Sequence, residues 1–283
     1  MISFPNCKIN LGLQILNKRE DGYHNLATVF YPVQWRDMVE VIRKDDGRQM
    51  TDHSSTSNSE LSFTSTGLEV NGEPQNNLCI KAYNLLKKDF PSLPSVEMHL
   101  HKTIPMGAGL GGGSADGAFT LKLLNDKFQL GLIQEQLIAY ALQLGSDCPF
   151  FIINKPCYAT GRGEILEEVA LDLSAYQFVL VNPGIHVNTG WAFAQLQLTD
   201  AQRPDLRTIV QQPITTWKKQ LINDFEEPVC KFHTEIAAIK QRLYDEGALY
   251  ASMTGSGSTV FGIFERNTNF NIKFAKKYSI KFI

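Results

Sequence analysis

Pro105-Met106-Gly107-Ala108-Gly109-Leu110-Gly111-Gly112-Gly113-Ser114-Ala115-Asp116 places five glycines within seven residues. Before it, residues 96–104 alternate as a strand does: Val96, Met98 and Leu100 are apolar, with Glu97, His99 and His101 between them. After it, Ala115, Ala118, Phe119, Leu121, Lys122 and Leu123 are helix formers with an apolar stripe. The loop therefore leaves a strand, and its last small residues open a helix. Glycine lacks Cβ, so this backbone can take positive φ and approach a ligand closely. The helix start adds unpaired N–H groups and a partial positive charge. Together they make a cradle for phosphate. A flexible linker is the plainer alternative. The helix that follows, and the absence of proline or acidic residues among the glycines, argue against it.

Gly107-Ala108-Gly109-Leu110-Gly111-Gly112 also satisfies G-x-G-x-x-G. The dinucleotide fingerprint needs an acidic residue about 20 positions on, at the end of a second strand. Asp126 has near that spacing, but Leu121-Lys122-Leu123-Leu124-Asn125-Asp126-Lys127-Phe128 reads as helix. No Gly-Lys-Ser/Thr closes the loop, so the P-loop pattern fails as well. What remains is a glycine-rich nucleotide loop of another type.

A chain of 283 residues is long enough for one large or two medium domains with ample core. Its 27 basic and 29 acidic residues give a net charge of −2, so phosphate binding must be local and nucleic acid is not an expected partner. No apolar run reaches the length of a membrane span, and Met1-Ile2-Ser3-Phe4-Pro5 does not read as a signal peptide. Cys7, Cys79, Cys148, Cys157 and Cys230 are odd in number without C-x-x-C spacing, which fits reduced thiols in the cytoplasm rather than a disulfide framework or zinc site.

Residues 8–15 alternate strictly, with Ile9, Leu11, Leu13 and Ile15 on one side and Lys8, Asn10, Gly12 and Gln14 on the other. The pattern predicts a half-buried strand with a polar, functional face, and Cys7 turned away from that face. Further strands are expected at 37–43 and 61–66, and a polar hairpin tip at 45–59. Helices are expected at 77–90, with Leu78, Ala82, Leu85 and Leu86 inward, and at 134–144, with Gly145 as C-cap. The second half, from about Phe151, reads as a strand at 178–182 and one amphipathic helix at 229–246. Two strands within 250–264, joined by Gly255-Ser256-Gly257, and a short final strand at 277–283 complete it. Mixed elements in irregular order predict α+β.

The glycine stretch resembles the second signature of the GHMP kinases. Phe4-Pro5-Asn6-Cys7-Lys8-Ile9-Asn10-Leu11-Gly12-Leu13 is similar to their N-terminal motif, and Met253-Thr254-Gly255-Ser256-Gly257-Ser258-Thr259-Val260-Phe261 to their C-terminal glycine motif. Asp21-Gly22-Tyr23-His24, Leu144-Gly145-Ser146-Asp147-Cys148-Pro149-Phe150-Phe151 and Asn223-Asp224-Phe225-Glu226 resemble the branch that phosphorylates a cytidine-diphosphate derivative of methylerythritol. The resemblance implies a ribosomal-S5-like nucleotide-binding domain (1–152) and a ferredoxin-like domain (153–283). It implies ATP as donor, Mg²⁺ with it, and a small-molecule acceptor, in a monomer or weak homodimer.

Carried onto this chain, the family pattern makes Pro105, Met106, Gly107, Ala108, Gly109, Leu110, Gly111, Gly112, Gly113, Ser114 and Ala115 the nucleotide loop. It makes Asp147 the proton acceptor, with Lys8 beside it as a fixed cation. Asn10 would orient substrate hydroxyls. Tyr23 and His24 would bind the cytosine, with His186 as a second stacking partner. Gly255, Ser256 and Gly257 would line the site, while Asp224 and Glu226 belong to turn chemistry. Ala115 stands where the family often has a second serine, which weakens any hydroxyl role there. A mevalonate-type or homoserine-type alcohol is the alternative acceptor, which Asp21-Gly22-Tyr23-His24 opposes. A catalytically dead nucleotide-binding protein on the same fold is the alternative from another class. Retained Lys8 and Asp147 oppose it.

Overall fold

A computed structural model describes residues 1–44, 60–70, 72–196, 203–270 and 274–283; the expected hairpin tip at 45–59 lies outside them. In chain order, β1 (Ile2–Ser3), β2 (Asn6–Lys18), β3 (His24–Arg36), β4 (Met38–Arg43) and β5 (Leu61–Gly67) precede α1 (Leu78–Asp89). Strand β6 (Val96–Lys102) then leads to α2 (Gly112–Phe128), α3 (Gln134–Leu144) and α4 (Cys148–Ile153). Next come β7 (Cys157–Thr160), β8 (Ile165–Glu168) and β9 (Tyr176–Asn182), then α5 (Thr189–Ala194), α6 (Leu206–Val210) and α7 (Trp217–Gln220). The chain closes with α8 (Glu226–Phe232), α9 (Thr234–Asp245), β10 (Tyr250–Met253), β11 (Val260–Glu265) and β12 (Ser279–Phe282).

Packing divides the chain into two compact units that are interleaved in sequence. The first holds Met1–Asn6, Arg36–Ile104 and Gly112–Ile153; the second holds Cys7–Trp35, Pro105–Gly111 and Asn154–Ile283. The reason lies in strand pairing: β3 pairs with β7 in antiparallel register (Thr28 opposite Ala159), which draws β2 and β3 into the second unit.

In the first unit one sheet runs β1-β4-β6-β5, antiparallel except for the parallel β5–β6 pair. Strand β6 keeps the expected alternation, and its inward row Val96, Met98, Leu100 continues to Lys102. Asn77 caps α1 by accepting from Cys79 N at 2.9 Å. The buried stripe of α1 is Cys79, Ala82, Tyr83 and Leu86, turned from the expected row so that Leu78 and Leu85 sit at its edges. Helix α3 has the expected bounds. Gly145 caps it with φ 166°, an extended backbone, so the glycine supplies no left-handed turn there.

In the second unit the sheets run β2-β3-β7-β8 and β10-β11-β9-β12. Residues 24–36 lack a clean alternation, yet form the long strand β3. The stretch 229–246 is two helices, not one. His233 (φ −115°, ψ 77°) leaves helical space between α8 and α9, while Val229, Ile236, Ile239 and Leu243 still share one core with β9, β10 and β11. Both faces of β2 are buried from Asn6 to Ile15, so its polar face is not open to solvent. The segment 222–224 pairs along the edge of β2: Leu13 N donates to Ile222 O (2.9 Å), Asp224 N to Leu13 O (2.9 Å), and Ile15 N to Asp224 Oδ2 (2.8 Å).

Candidate active site

Lys8 lies in the second unit, on β2, and is only 4% exposed. Its Nζ donates to Asn10 Oδ1 at 2.6 Å and to Gly109 O at 3.0 Å, and lies 5.0 Å above the Phe30 ring. Asn10 is as deeply buried, and three hydrogen bonds hold its side chain. Oδ1 accepts from Lys8 and from Thr254 Oγ1 (3.1 Å), and Nδ2 donates to Thr28 Oγ1 (3.0 Å), which in turn donates to Gly12 O. Asn10 thus holds Lys8 in place. Thr254 ties the network together, because its Oγ1 also accepts from Asn10 N at 3.0 Å and lies 3.0 Å from Gly109 O. Thr28 and Thr254 carry no local sequence signal, since Thr254 is 244 positions from its partner Asn10.

Three consecutive loop carbonyls face this scaffold. Thr259 N donates to Ala108 O (3.3 Å), Lys8 Nζ to Gly109 O, and Lys8 N to Leu110 O (3.0 Å). Gly107, Gly109 and Gly111 have φ of 62°, 77° and 68°, as a loop needing glycine should. The reason for Gly109 is internal packing, not ligand approach alone: a Cβ there would lie 2.0 Å from Thr254 O. Gly255 meets the same spot from the other motif, its Cβ position 3.0 Å from Gly109 Cα. The two glycine motifs therefore stack backbone on backbone. Ser256 Oγ bonds Thr189 Oγ1 at 3.0 Å. Pro105 is half-buried and Met106 exposed.

The remaining loop residues begin α2, in the first unit. Gly113 differs from Gly109, for a Cβ at Gly113 would meet nothing within 4 Å. Ala115 is buried, and Ser114 hydrogen-bonds the Cys148 side chain. Gly112 sits over Lys102, part of a buried ionic cluster with Asp37 and Asp116. No reading of the motifs found that cluster. The one available signal was a lysine in the inward register of β6. Asp126 lies within α2, which disposes of the dinucleotide fingerprint.

The turn before β3 is built as its sequence asks. Asp21 Oδ1 accepts from Tyr23 N (3.1 Å), Gly22 has φ 84°, and Arg19 holds the Asp21 carboxylate at 2.9–3.1 Å. That hydrogen bond from Arg19 keeps the Asp21 carboxyl below the usual carboxylate range. Tyr23 is 56% exposed, with the Arg162 guanidinium 4.7 Å from its ring centroid. His24 stacks on Phe193 (4.6 Å, 13° between planes), and Phe193 meets Phe225 edge-on at 4.9 Å. Burial, aided by Lys18, lowers the His24 pKa, so the imidazole stays neutral near pH 7. Phe193 is the stacking residue that sequence reading missed. His186 approaches the glycine loop, its Nδ1 3.5 Å from the Cβ position of Gly107.

Asp147 lies half-buried in the first unit, in the turn between α3 and α4, with Cys148 N donating to Gly145 O at 3.1 Å. Asp224 and Glu226 are structural, as expected: Glu226 accepts from Met253 N (2.8 Å) and pairs with Lys240 (2.6 Å). Asn223 Nδ2 donates to Met253 O and Gly255 O, both at 2.8 Å, securing the C-terminal glycine motif. Cys7 is fully buried, its Sγ 3.6 Å from Val33 O. Among the described residues no three His, Cys, Asp or Glu side chains are grouped to hold a metal ion.

The family model for the GHMP kinases N terminal domain matches residues 77–155, and that for the GHMP kinases C terminal matches 215–275. A Bacteroides fragilis protein named 4-diphosphocytidyl-2-C-methyl-D-erythritol kinase is 50% identical over 266 residues, covering 93% of this chain and 92% of the relative. Its namesake from Bacteroides thetaiotaomicron is 48% identical over 267 residues, covering 94% and 92%. A crystal structure of 4-(cytidine 5'-diphospho)-2C-methyl-D-erythritol kinase matches with a TM-score of 0.77 at 30% identity, over 93% of this chain and 90% of that one. With both family models in order and such identity along nearly its whole length, the chain belongs to the GHMP kinase family, among the proteins named 4-diphosphocytidyl-2-C-methyl-D-erythritol kinase.

Proposed function

We propose that the protein transfers the γ-phosphoryl group of ATP to the 2-hydroxyl of 4-diphosphocytidyl-2-C-methyl-D-erythritol, a step of the non-mevalonate route to isoprenoid precursors. The carrying observation is the near full-length identity to proteins of that name. Phosphoryl transfer needs a held donor, an oriented hydroxyl, neutralised charge and a proton acceptor. The open Cβ position of Gly113, at the start of the 17-residue helix α2, supports a nucleotide phosphate there. Mg²⁺ would arrive on the nucleotide and neutralise phosphate charge.

In this reading Asp147 takes the proton from the acceptor hydroxyl. Lys8, aimed by Asn10 and Gly109 O, stabilises the charge that develops on the transferred group. Arg19 and Asp21 fix the turn that presents Tyr23 and His24 to the cytosine. A neutral His24, held flat by Phe193, offers one donor and one acceptor in its ring plane, the requirement for reading a base edge. His186, beside Gly107, is kept as the second stacking partner for the cytosine. A coupled ATPase assay with the cytidyl substrate, and with mevalonate and homoserine as controls, tests this. Phosphorylation of either control in preference to the cytidyl substrate would overturn it.

A further inference from the structure

Three charged side chains are buried together where the chain leaves β6 for the glycine loop. Lys102, 1% exposed, donates from Nζ to Asp37 and, at 2.7 Å, to Asp116 Oδ2. Asp37 Oδ1 accepts from the backbone N–H of Thr103 and of Ile104 (2.8 Å). Asp116 belongs to the start of α2, and a Cβ on Gly112 would stand 3.0 Å from Lys102 Nζ. The cluster thus grips both Ile104, after which the loop departs, and the first residues to return.

Its charges do not balance. One ammonium faces two carboxylates, and Asp116 Oδ1 is buried without a hydrogen-bond partner among the described residues. A buried, unpaired carboxylate oxygen is costly, and a proton removes the surplus charge and with it the larger part of that cost. Burial, with Asp37 reinforcing and Lys102 opposing, pushes the Asp116 carboxyl up to about 7. Cys79 of α1 is the other titratable group facing it, and burial keeps that thiol protonated. Thr120 Oγ1 donates to the Asp116 carbonyl at 2.7 Å and adds no charge.

We propose that Lys102, Asp37 and Asp116 form a proton-dependent charge base beneath the start of α2, so that a nucleoside triphosphate binds more tightly when Asp116 is protonated. The inference rests on reading this loop as the ATP site. These are positioning residues: they set where the loop ends lie and what charge stands under the helix start, where phosphate oxygens meet N–H groups. An ionised Asp116 leaves a net negative charge there and opposes the polyanion.

The test is calorimetric ATP binding, with Mg²⁺ in excess, by wild type and Asp116→Asn from pH 6.0 to 8.5. Asparagine keeps an acceptor for Lys102 without the charge. Wild-type affinity should fall on the order of fivefold across this range, while Asp116→Asn stays flat. Parallel profiles, even if offset, would overturn the proposal, because a purely structural role shifts affinity equally at every pH. If the variant does not fold, wild type alone decides: ATP affinity should fall with pH while adenosine affinity does not, and equal behaviour overturns the proposal. Wild type that binds no ATP at any pH overturns the nucleotide-loop reading itself, whereas pH-independent ATP binding overturns only this inference.

Discussion

Gly109→Ala and Gly113→Ala change two glycines of one sequence motif, the first in the loop and the second in α2, and should fail in opposite ways. The first drives a Cβ to 2.0 Å from Thr254 O at φ 77°. We expect a stability loss of about 2 kcal/mol or more, seen as a lower urea midpoint. The second meets no atom within 4 Å, and alanine exceeds glycine in helix propensity by about 1 kcal/mol. Its stability should hold or rise while ATP affinity drops about tenfold, a change of about 1.4 kcal/mol. Unchanged calorimetric affinity would remove the start of α2 from the nucleotide site. Asp147→Asn should fold and bind nucleotide yet lose roughly a hundredfold or more in turnover, as removal of a general base requires. His24, depressed by burial, is neutral at and above its ordinary pKa of about 6.5. Binding of the cytidyl substrate should therefore be level above that pH and weaken only below it. Titration calorimetry at pH 5.5 and 7.5 checks the sign.

Among the elements, β2 carries Lys8 and Asn10, and its polar face is buried. Thr254→Val removes the hydroxyl that accepts from Asn10 N and bonds Asn10 Oδ1 or Gly109 O. An orphaned buried N–H costs about 1–3 kcal/mol, and Lys8 loses part of its alignment. The variant should lose turnover even where denaturation curves show it fully folded; full activity there would detach Thr254 from the site. Elements with strong local periodicity were legible in the sequence: α3, β10 and β11 lie where alternation and helical spacing put them. Strand β2 was legible as a strand but not as a doubly buried one, because alternation says that two faces differ and not what covers them. The break at His233 was invisible because the apolar stripe passes through it unchanged. At the site, the glycine loop announced itself by composition. The roles proposed for Lys8 and Asp147 rest on resemblance, and Thr28, Thr254 and Phe193 depend on partners remote in sequence.

For the whole molecule, the buried Asp116 makes stability depend on pH. Its carboxyl titrates near 7 when folded, against 3.8 ordinarily. Between these values the native chain holds a proton that the unfolded chain has released. Its contribution to stability is therefore present at low pH and is lost as pH rises toward 7, levelling beyond. Urea midpoints at pH 5.5, 7.0 and 8.5 should fall and then flatten in wild type relative to Asp116→Asn; no difference in slope would refute this. The interleaving of the two units also bears on how the chain is made. Strand β3 ends at Arg36, and its partner β7 starts at Cys157, 121 residues later. At about 5–20 residues per second on the ribosome, the β2–β3 hairpin and its buried lysine wait on the order of ten seconds for a neighbour. During that interval an edge strand rich in apolar residues stands open, which makes it a natural client for chaperones that shield nascent chains. A ribosome halted after residue 152 should therefore carry a chain whose residues 7–35 remain open to protease, while release of the full length closes them.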